Sequence, residues 1–230
     1  MRLIFAGGGT GGHLYPGLAI ARAVKRLDPS AAPYFIGAMR GIEKNVLPDA
    51  EFPFDLLDLH PLYRSRPWEN WKTIRGAGSA WRRLGRIVAE ERPAVIVGTG
   101  GYASGIALGY GSLYRIPLVL QEQNGFPGLT TRFFSRYARQ VHNGFPEAAR
   151  HLNAGRNTLV LDSGNPIEPP PDPLPERSLA RAPWRFPPSG GHVMLIYGGS
   201  QGSKAINDAV AEPVVYLIDH FVVGGFYRVH

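Results

Sequence analysis

Leu3-Ile4-Phe5-Ala6-Gly7-Gly8-Gly9-Thr10-Gly11-Gly12-His13 lies at the start of the chain, and its reading decides the fold. Four apolar residues running into glycine read as a buried strand. Beyond the glycines, Leu18, Ala19, Ala23 and Leu27 recur at helical spacing, and Pro16 suits a first helical turn. Strand, glycine turn and helix in that order begin a βαβ unit. The pattern continues with apolar runs at Tyr34–Gly37, Arg92–Gly98, Leu118–Gln121, Val141–Phe145 and Thr158–Leu161. The class is therefore α/β, a Rossmann-like parallel sheet covered on both faces.

The 230 residues carry a net charge of +7, with 44% hydrophobic and 19% charged residues, which excludes a disordered chain. The absence of cysteine excludes a disulfide framework, a cysteine–zinc site and a cysteine nucleophile. Leu3–Ala6 is too short for the apolar core of a signal peptide. Ala94–Tyr114 has no charge, but its glycines break it into strand, loop and helix instead of one membrane span.

Three stretches follow along the chain. Residues 1–167 read as the first Rossmann-like domain, and the proline-rich stretch 168–191 as a linker. Residues 192–230 begin a second α/β unit, with a strand at His192–Tyr197, glycines at Gly198–Gly202 and a helix at Ser203–Ala211. About 40 residues are too few for a self-standing open sheet. Three strands thus end in glycine-rich turns: Gly7–Gly12, Gly98–Gly101 and Gly198–Gly202.

Gly7, Gly9 and Gly12 satisfy the G-x-G-x-x-G spacing, in which backbone N–H groups and a helix N-terminus approach an anion. A dinucleotide site also expects an acid after the second strand, where Gly37-Ala38-Met39-Arg40 has none. Arg40 would suit a 2′-phosphate, so an NADP-binding oxidoreductase domain is one alternative. The Gly198–Lys204 loop fails the spacing of a Walker A motif.

Five motifs in order carry a resemblance. They are Gly8-Gly9-Thr10-Gly11-Gly12-His13 with Pro16, Gly98-Thr99-Gly100-Gly101-Tyr102-Ala103-Ser104-Gly105, and Glu122-Gln123-Asn124 with Pro127-Gly128-Leu129-Thr130. Ser163-Gly164-Asn165-Pro166 and Gly198-Gly199-Ser200-Gln201-Gly202 with Asn207 complete the set. Over residues 1 to about 210 the chain resembles glycosyltransferase family 28, GT-B enzymes that act on the lipid-linked muramoyl sugar of peptidoglycan synthesis. The resemblance implies inverting transfer of N-acetylglucosamine from UDP-GlcNAc to the C4 hydroxyl of lipid I, giving lipid II. It implies a donor site using Thr10, Gly11, Gly12, Asn124, Ser200, Gln201 and Asn207, with the position of Glu168 also on the donor. Such a transfer needs a base at the acceptor hydroxyl and stabilisation of the leaving diphosphate. His13 is the first candidate base and Glu122 the second, while Tyr102 lines the cleft. No Asp-x-Asp motif occurs, so neither an obligatory metal nor another cofactor is expected.

The chain also departs from the family. Gln121 stands for a usual His, Thr131 for a usual Asn, and Glu168 for an Arg that contacts the donor. A carboxylate there would repel a diphosphate. The family's second domain continues beyond residue 230, so this chain alone is expected to bind donor weakly and to need the remainder for turnover.

Residues 61–92 hold eight basic side chains against three acids. Trp68, Trp71, Ile74 and Trp81 are interleaved with cations that include Arg75 and Arg82. This composition suits the headgroup layer of an anionic bilayer. A solvated helix with Leu84, Ile87 and Val88 inward is the competing reading, and no nucleic-acid motif accompanies the charge. The expected partners are UDP-GlcNAc, lipid I, an anionic membrane surface and other cell-wall enzymes. The expected place is the cytoplasmic face of the inner membrane, held peripherally. A non-catalytic peripheral membrane module is the remaining alternative.

Overall fold

The computed structural model describes residues 1–59, 70–190, 193, 205, 206, 208 and 209, with the backbone only at 70–75 and 77. Two compact units divide the chain, Met1–Pro169 and Pro170–His230. The first holds a seven-stranded sheet: β1 Arg2–Gly7, β2 Ala32–Ala38, β3 Phe54–Leu57, β4 Val95–Gly100, β5 Leu118–Glu122, β6 Gln140–Asn143 and β7 Leu159–Asp162. All neighbouring strands pair in parallel, in the order β3-β2-β1-β4-β5-β6-β7. The order turns back at β1 and β4, which is where ligands of such sheets bind, beyond the carboxyl ends of the strands.

Helices α1 (Gly11–Leu27), α2 (Glu43–Val46), α3 (Asn70–Glu91), α4 (Gly101–Leu113) and α5 (Leu129–Phe134) connect the strands. Side-chain alternation divides the core into two layers. Leu14, Leu18 and Ala21 of α1 cover Leu3, Phe5, Phe35 and Val97 on one face. Ala80, Leu84 and Ile87 of α3, with Ala103, Ala107 and Leu108 of α4, cover Ile4, Ile36, Ile96, Leu118 and Leu120 on the other. The charge-free stretch Ala94–Tyr114 is thus β4 and α4. No helix among the described residues is long and apolar enough to cross a membrane.

Several local expectations are corrected. Helix α1 starts at Gly11, so Pro16 is its sixth residue and not part of the first turn; lacking an N–H, it leaves the Gly12 carbonyl without an i+4 donor. Leu27 is 87% exposed, because nine residues beyond Leu18 are about two and a half turns and reach the opposite face. Strand β3 was not legible as a strand, having four residues, one of them Asp55. That carboxylate is satisfied by the Tyr34 hydroxyl at 2.8 Å and by Arg83 of α3. The Arg92 and Phe145 ends of two expected strands lie outside β4 and β6.

The proline-rich stretch is not wholly irregular: α6 (Arg177–Arg181) lies within it, and the Arg181 guanidinium donates to the carbonyls of Pro187 and Gly190 at 2.9 and 2.6 Å. The expected strand at His192–Tyr197 lies outside the described residues apart from Val193, which is not in a strand.

Ile96 is fully buried at the centre of the sheet, whereas Leu159 on the edge strand is half exposed. Ile96→Ala is expected to lower the stability of the first unit by about 2–5 kcal/mol in urea unfolding. Leu159→Ser is expected to stay within about 0.5 kcal/mol.

Candidate functional site

The two glycine turns at the switch point are joined directly. The Gly8 N–H donates to the Gly100 carbonyl at 3.3 Å. Strand β4 carries one extra residue against β1, since Ala6 pairs with Gly98 and Gly7 with Gly100. The extra residue is Thr99, whose buried hydroxyl donates to the His13 carbonyl at 2.7 Å. Gly101 has φ +76°, and a Cβ there would overlap the Gly8 carbonyl. Only glycine meets both conditions at that close approach.

His13 sits in the first turn of α1, half buried, with its ring over Gly100 and Gly101. Its Nδ1 lies 3.1 Å from the Thr10 hydroxyl, and the Thr10 carbonyl accepts the His13 N–H at 3.2 Å. Burial pushes the imidazole below its ordinary value of 6.5, against the charges of Glu122 and Glu43 and a hydrogen bond with the Gly8 backbone. His13 is therefore neutral at pH 7, the state in which an imidazole takes up a proton. The ring of Tyr102, second in α4, lies against Gly9. Thr10 and Gly12 are exposed and Gly11 is half buried. The first turn of α1 contains no acid, which leaves its N-terminal dipole uncompensated.

Glu122 ends β5 and is 2% exposed. Its Oε1 accepts the Asn124 backbone N–H at 3.1 Å and the Asn124 side-chain amide at 2.9 Å. Its Oε2 accepts the Gly128 N–H at 3.1 Å. Both oxygens are thus engaged in capping the following turn. The Asn124 side chain is thereby held against the same carboxylate. Gln123 donates to the Thr99 carbonyl at 2.7 Å and to the Gln121 side chain, and Thr130 donates to the Gly101 carbonyl at 3.3 Å. Asn165, beyond β7, donates to the Gln123 carbonyl at 3.3 Å. Four of the five sequence motifs therefore meet at one sheet edge.

The Glu168 position does not join them. Its carboxylate pairs with Arg22 at 3.3 Å and Arg26 at 3.5 Å on α1. Ser200, Gln201 and Asn207 lie outside the described residues. So does Trp68, and of Trp71, Ile74 and Arg75 only the helical backbone is described. Trp81 is half buried, its ring tilted against that of Tyr110 with centroids 5.0 Å apart, and Arg82 is exposed. Leu84 and Ile87 face inward on the same helix, as the competing reading of that segment required.

Sequence reasoning missed Glu43. It is fully buried, and its Oε1 accepts the Gly9 N–H at 2.8 Å and the Ala38 N–H at 3.2 Å. It belongs to no local motif, and the glycines at 8, 37 and 41, where a Cβ would collide with this side chain, are gathered around it only by the fold. With the Gly8 and Gly9 N–H groups used internally, the N–H groups left to an anion are those of the first turn of α1. Arg40, the residue that would suit a 2′-phosphate, pairs with Asp58 at 3.5 Å. Among the described residues no group of three His, Asp or Glu side chains is placed to hold a metal ion.

A doubly wound sheet with its site at the switch point is the architecture of nucleotide and sugar-nucleotide enzymes. The glycosyltransferase family 28 N-terminal domain matches residues 3–143, and the chain belongs to this family. A shorter match, to glutamate-cysteine ligase, falls on residues 190–230. A UDP-N-acetylglucosamine–N-acetylmuramyl-(pentapeptide) pyrophosphoryl-undecaprenol N-acetylglucosamine transferase of Moorella thermoacetica is 39% identical over 214 residues. That match covers 91% of this chain and 56% of the relative. The protein of the same name from Anaeromyxobacter sp. strain Fw109-5 is 40% identical, over 95% of this chain and 55% of the relative. The chain thus spans about 55% of the length of these relatives. The crystal structure of Acinetobacter baumannii MurG superposes with a TM-score of 0.65 at 23% identity, covering 94% of this chain and 57% of that one, and shows the same fold.

The histidines give a pH test. Burial holds both His13 and His142 below the ordinary 6.5. The unfolded imidazoles bind protons more tightly, so the stability they contribute is complete above pH 6.5 and is lost as pH falls through and below it. Urea midpoints of the natural chain should drop between pH 7 and pH 5 more steeply than those of a His13→Gln/His142→Gln double variant. Equal slopes would contradict the burial argument.

Proposed function

We propose that this chain provides the acceptor-side domain of an enzyme that transfers N-acetylglucosamine from UDP-GlcNAc to lipid I, giving lipid II for peptidoglycan synthesis. One observation carries the reading. His13, half buried, with its ring against Gly100 and Gly101, its Nδ1 at the Thr10 hydroxyl and its carbonyl held by Thr99, stands at the switch point of a family 28 domain. The names of the relatives supply the substrates.

In this reading His13 takes the proton of the attacking sugar hydroxyl, as general-base catalysis requires. The acid-free first turn of α1, with Thr10, Gly11 and Gly12, faces a diphosphate with its N–H groups. Glu122 holds the Asn124 turn at the crevice edge. Glycine at 100 and 101 keeps side chains from filling the space beside the imidazole. Ser200, Gln201 and Asn207 belong to the donor half of the reading.

The test joins residues 1–169 of this chain to the second domain of the Moorella thermoacetica relative and measures lipid II formation from lipid I and UDP-GlcNAc. His13→Ala is expected to lower kcat by about 10²–10⁴-fold with little change in KM. A loss of less than tenfold would remove His13 as the base.

We further propose that the domain works on the cytoplasmic face of the inner membrane, bound peripherally to anionic lipid. Arg82 and Arg86 are exposed on α3, while Arg83 is tied to Asp55. The Trp81 ring lies tilted against Tyr110, and Tyr110 against Tyr114 at 4.3 Å, and Tyr114 and Leu113 are more than half exposed. This puts aromatic and aliphatic surface beside exposed cations, the combination that headgroups bind. Co-sedimentation with phosphatidylglycerol vesicles is expected to weaken at least threefold in Arg82→Glu/Arg86→Glu and to fall with added salt. Salt-independent binding unchanged by the double variant would exclude this face.

A further inference from the structure

We propose that Glu43 is a positioning residue of this site. From beneath the first glycine loop, its carboxylate fixes the loop in shape and keeps the His13 imidazole able to take a proton. Glu43 is the first residue of α2 and is fully buried. Its Oε1 receives N–H groups from two elements, Gly9 of the loop at 2.8 Å and Ala38 at the end of β2 at 3.2 Å. Its Oε2 is buried and has no hydrogen-bond partner among the described residues.

The surroundings are shaped around the carboxylate. A Cβ on Gly8 or on Gly41 would overlap the carboxylate itself, and one on Gly37 would come within 2.8 Å of the Glu43 Cβ and Cγ. Three chain segments thus leave space for one acidic side chain. Burying a carboxylate with one oxygen unpartnered is costly. An amide in the same place would accept the same two N–H groups but would put an unpartnered NH2 where Oε2 lies, so the space suits an acid.

His13 is tied to the same loop. The Thr10 hydroxyl lies 3.1 Å from its Nδ1, the Gly8 backbone bonds to the ring, and Glu43 and Glu122 are the charges that act on it; the Tyr102 ring from the start of α4 lies against the adjoining Gly9. Burial makes the imidazole a weaker base, and the two carboxylates oppose this. Glu122 is committed through both oxygens to three donors in the next turn. Glu43 keeps an oxygen to which no described residue donates. The same side chain thus ties loop shape to the proton affinity of the residue the loop presents.

The functional half of this proposal rests on His13 as the proton acceptor, so the experiment reads the protonation of His13 directly, without turnover. NMR titrations of His13 in the natural 230-residue chain and in Glu43→Gln are compared. Glutamine keeps an acceptor for both N–H groups and removes the charge. The expected result is an unchanged Gly9 amide environment and a His13 midpoint lower by about 0.5 pH or more. His142 should not move. An unchanged His13 midpoint in folded Glu43→Gln overturns the proposal.

Where that variant does not fold, the Glu43 carboxyl carbon is titrated in the natural chain and in His13→Ala. Linkage requires the coupling to be reciprocal, so a Glu43 resonance indifferent to His13 overturns the proposal equally. Glu43→Asp, one methylene shorter, is expected to raise Gly9 amide exchange about tenfold, with Glu43→Gln restoring it. A Gly9 amide that stays protected in Glu43→Asp overturns the loop-fixing half. An intact His13–Glu43 coupling together with undiminished transfer in His13→Ala would remove the catalytic reading and leave the positioning one.

Discussion

The contact on which the rest depends is the backbone seam between two glycine turns, from the Gly8 N–H to the Gly100 carbonyl. It joins the carboxyl ends of β1 and β4, the neighbours at which the strand order reverses. Helix α1 leaves toward one face and α4 toward the other, so side chains from both helices reach the same crevice. Each neighbouring bond refers to this seam. Thr99, the extra residue of β4, holds the first turn of α1 through the His13 carbonyl. Tyr102 closes on Gly9, and Thr130 reaches the Gly101 carbonyl from α5. A side chain at Gly101 would push the Gly8 carbonyl away and separate the two helices that present the site.

The sheet was largely legible because parallel strands buried on both faces leave short apolar runs ended by glycine, as at Leu3–Ala6 and Val95–Gly98. What sequence reading lost was lost for particular reasons. β3 carries an acid whose partners, Tyr34 and Arg83, come from a different strand and from a helix. Leu27 fits a helical period but lies on the side away from the sheet. The site was legible where its motifs are local, at Gly8–His13, Gly98–Gly105 and Glu122–Asn124. Glu43 was not, because its meaning comes from three glycines 35, 6 and 2 positions away that only the fold brings together. Asn165 was quoted as part of a motif, but its bond to the Gln123 carbonyl needed β5, β6 and β7 in register.

The electrostatics of the crevice run against those of the chain. The whole sequence carries +7, yet the two charged groups acting on His13 are buried carboxylates. A surface cation beside the imidazole would add to the effect of burial and weaken the base further. These acidic neighbours are buried, and the exposed turn of α1 itself carries no acid.

Glu168 shows how one substitution alters where such a site ends. At the position where the resembled family places a donor-contacting arginine, this chain has a carboxylate shared between Arg22 and Arg26, with Arg22 also held by Glu51 at 2.7 Å. The side chains in this cluster are one-third to one-half exposed, so each pair adds at most about 1 kcal/mol. Their effect is on direction more than on stability, because they turn the chain leaving β7 back onto α1 just before the first compact unit ends at Pro169. A carboxylate already held between two guanidiniums has little reason to leave them for a diphosphate that repels it. A cation for a diphosphate would therefore have to come from a residue other than this one, and α1, which carries His13 near its start, also anchors the chain where it leaves the first unit.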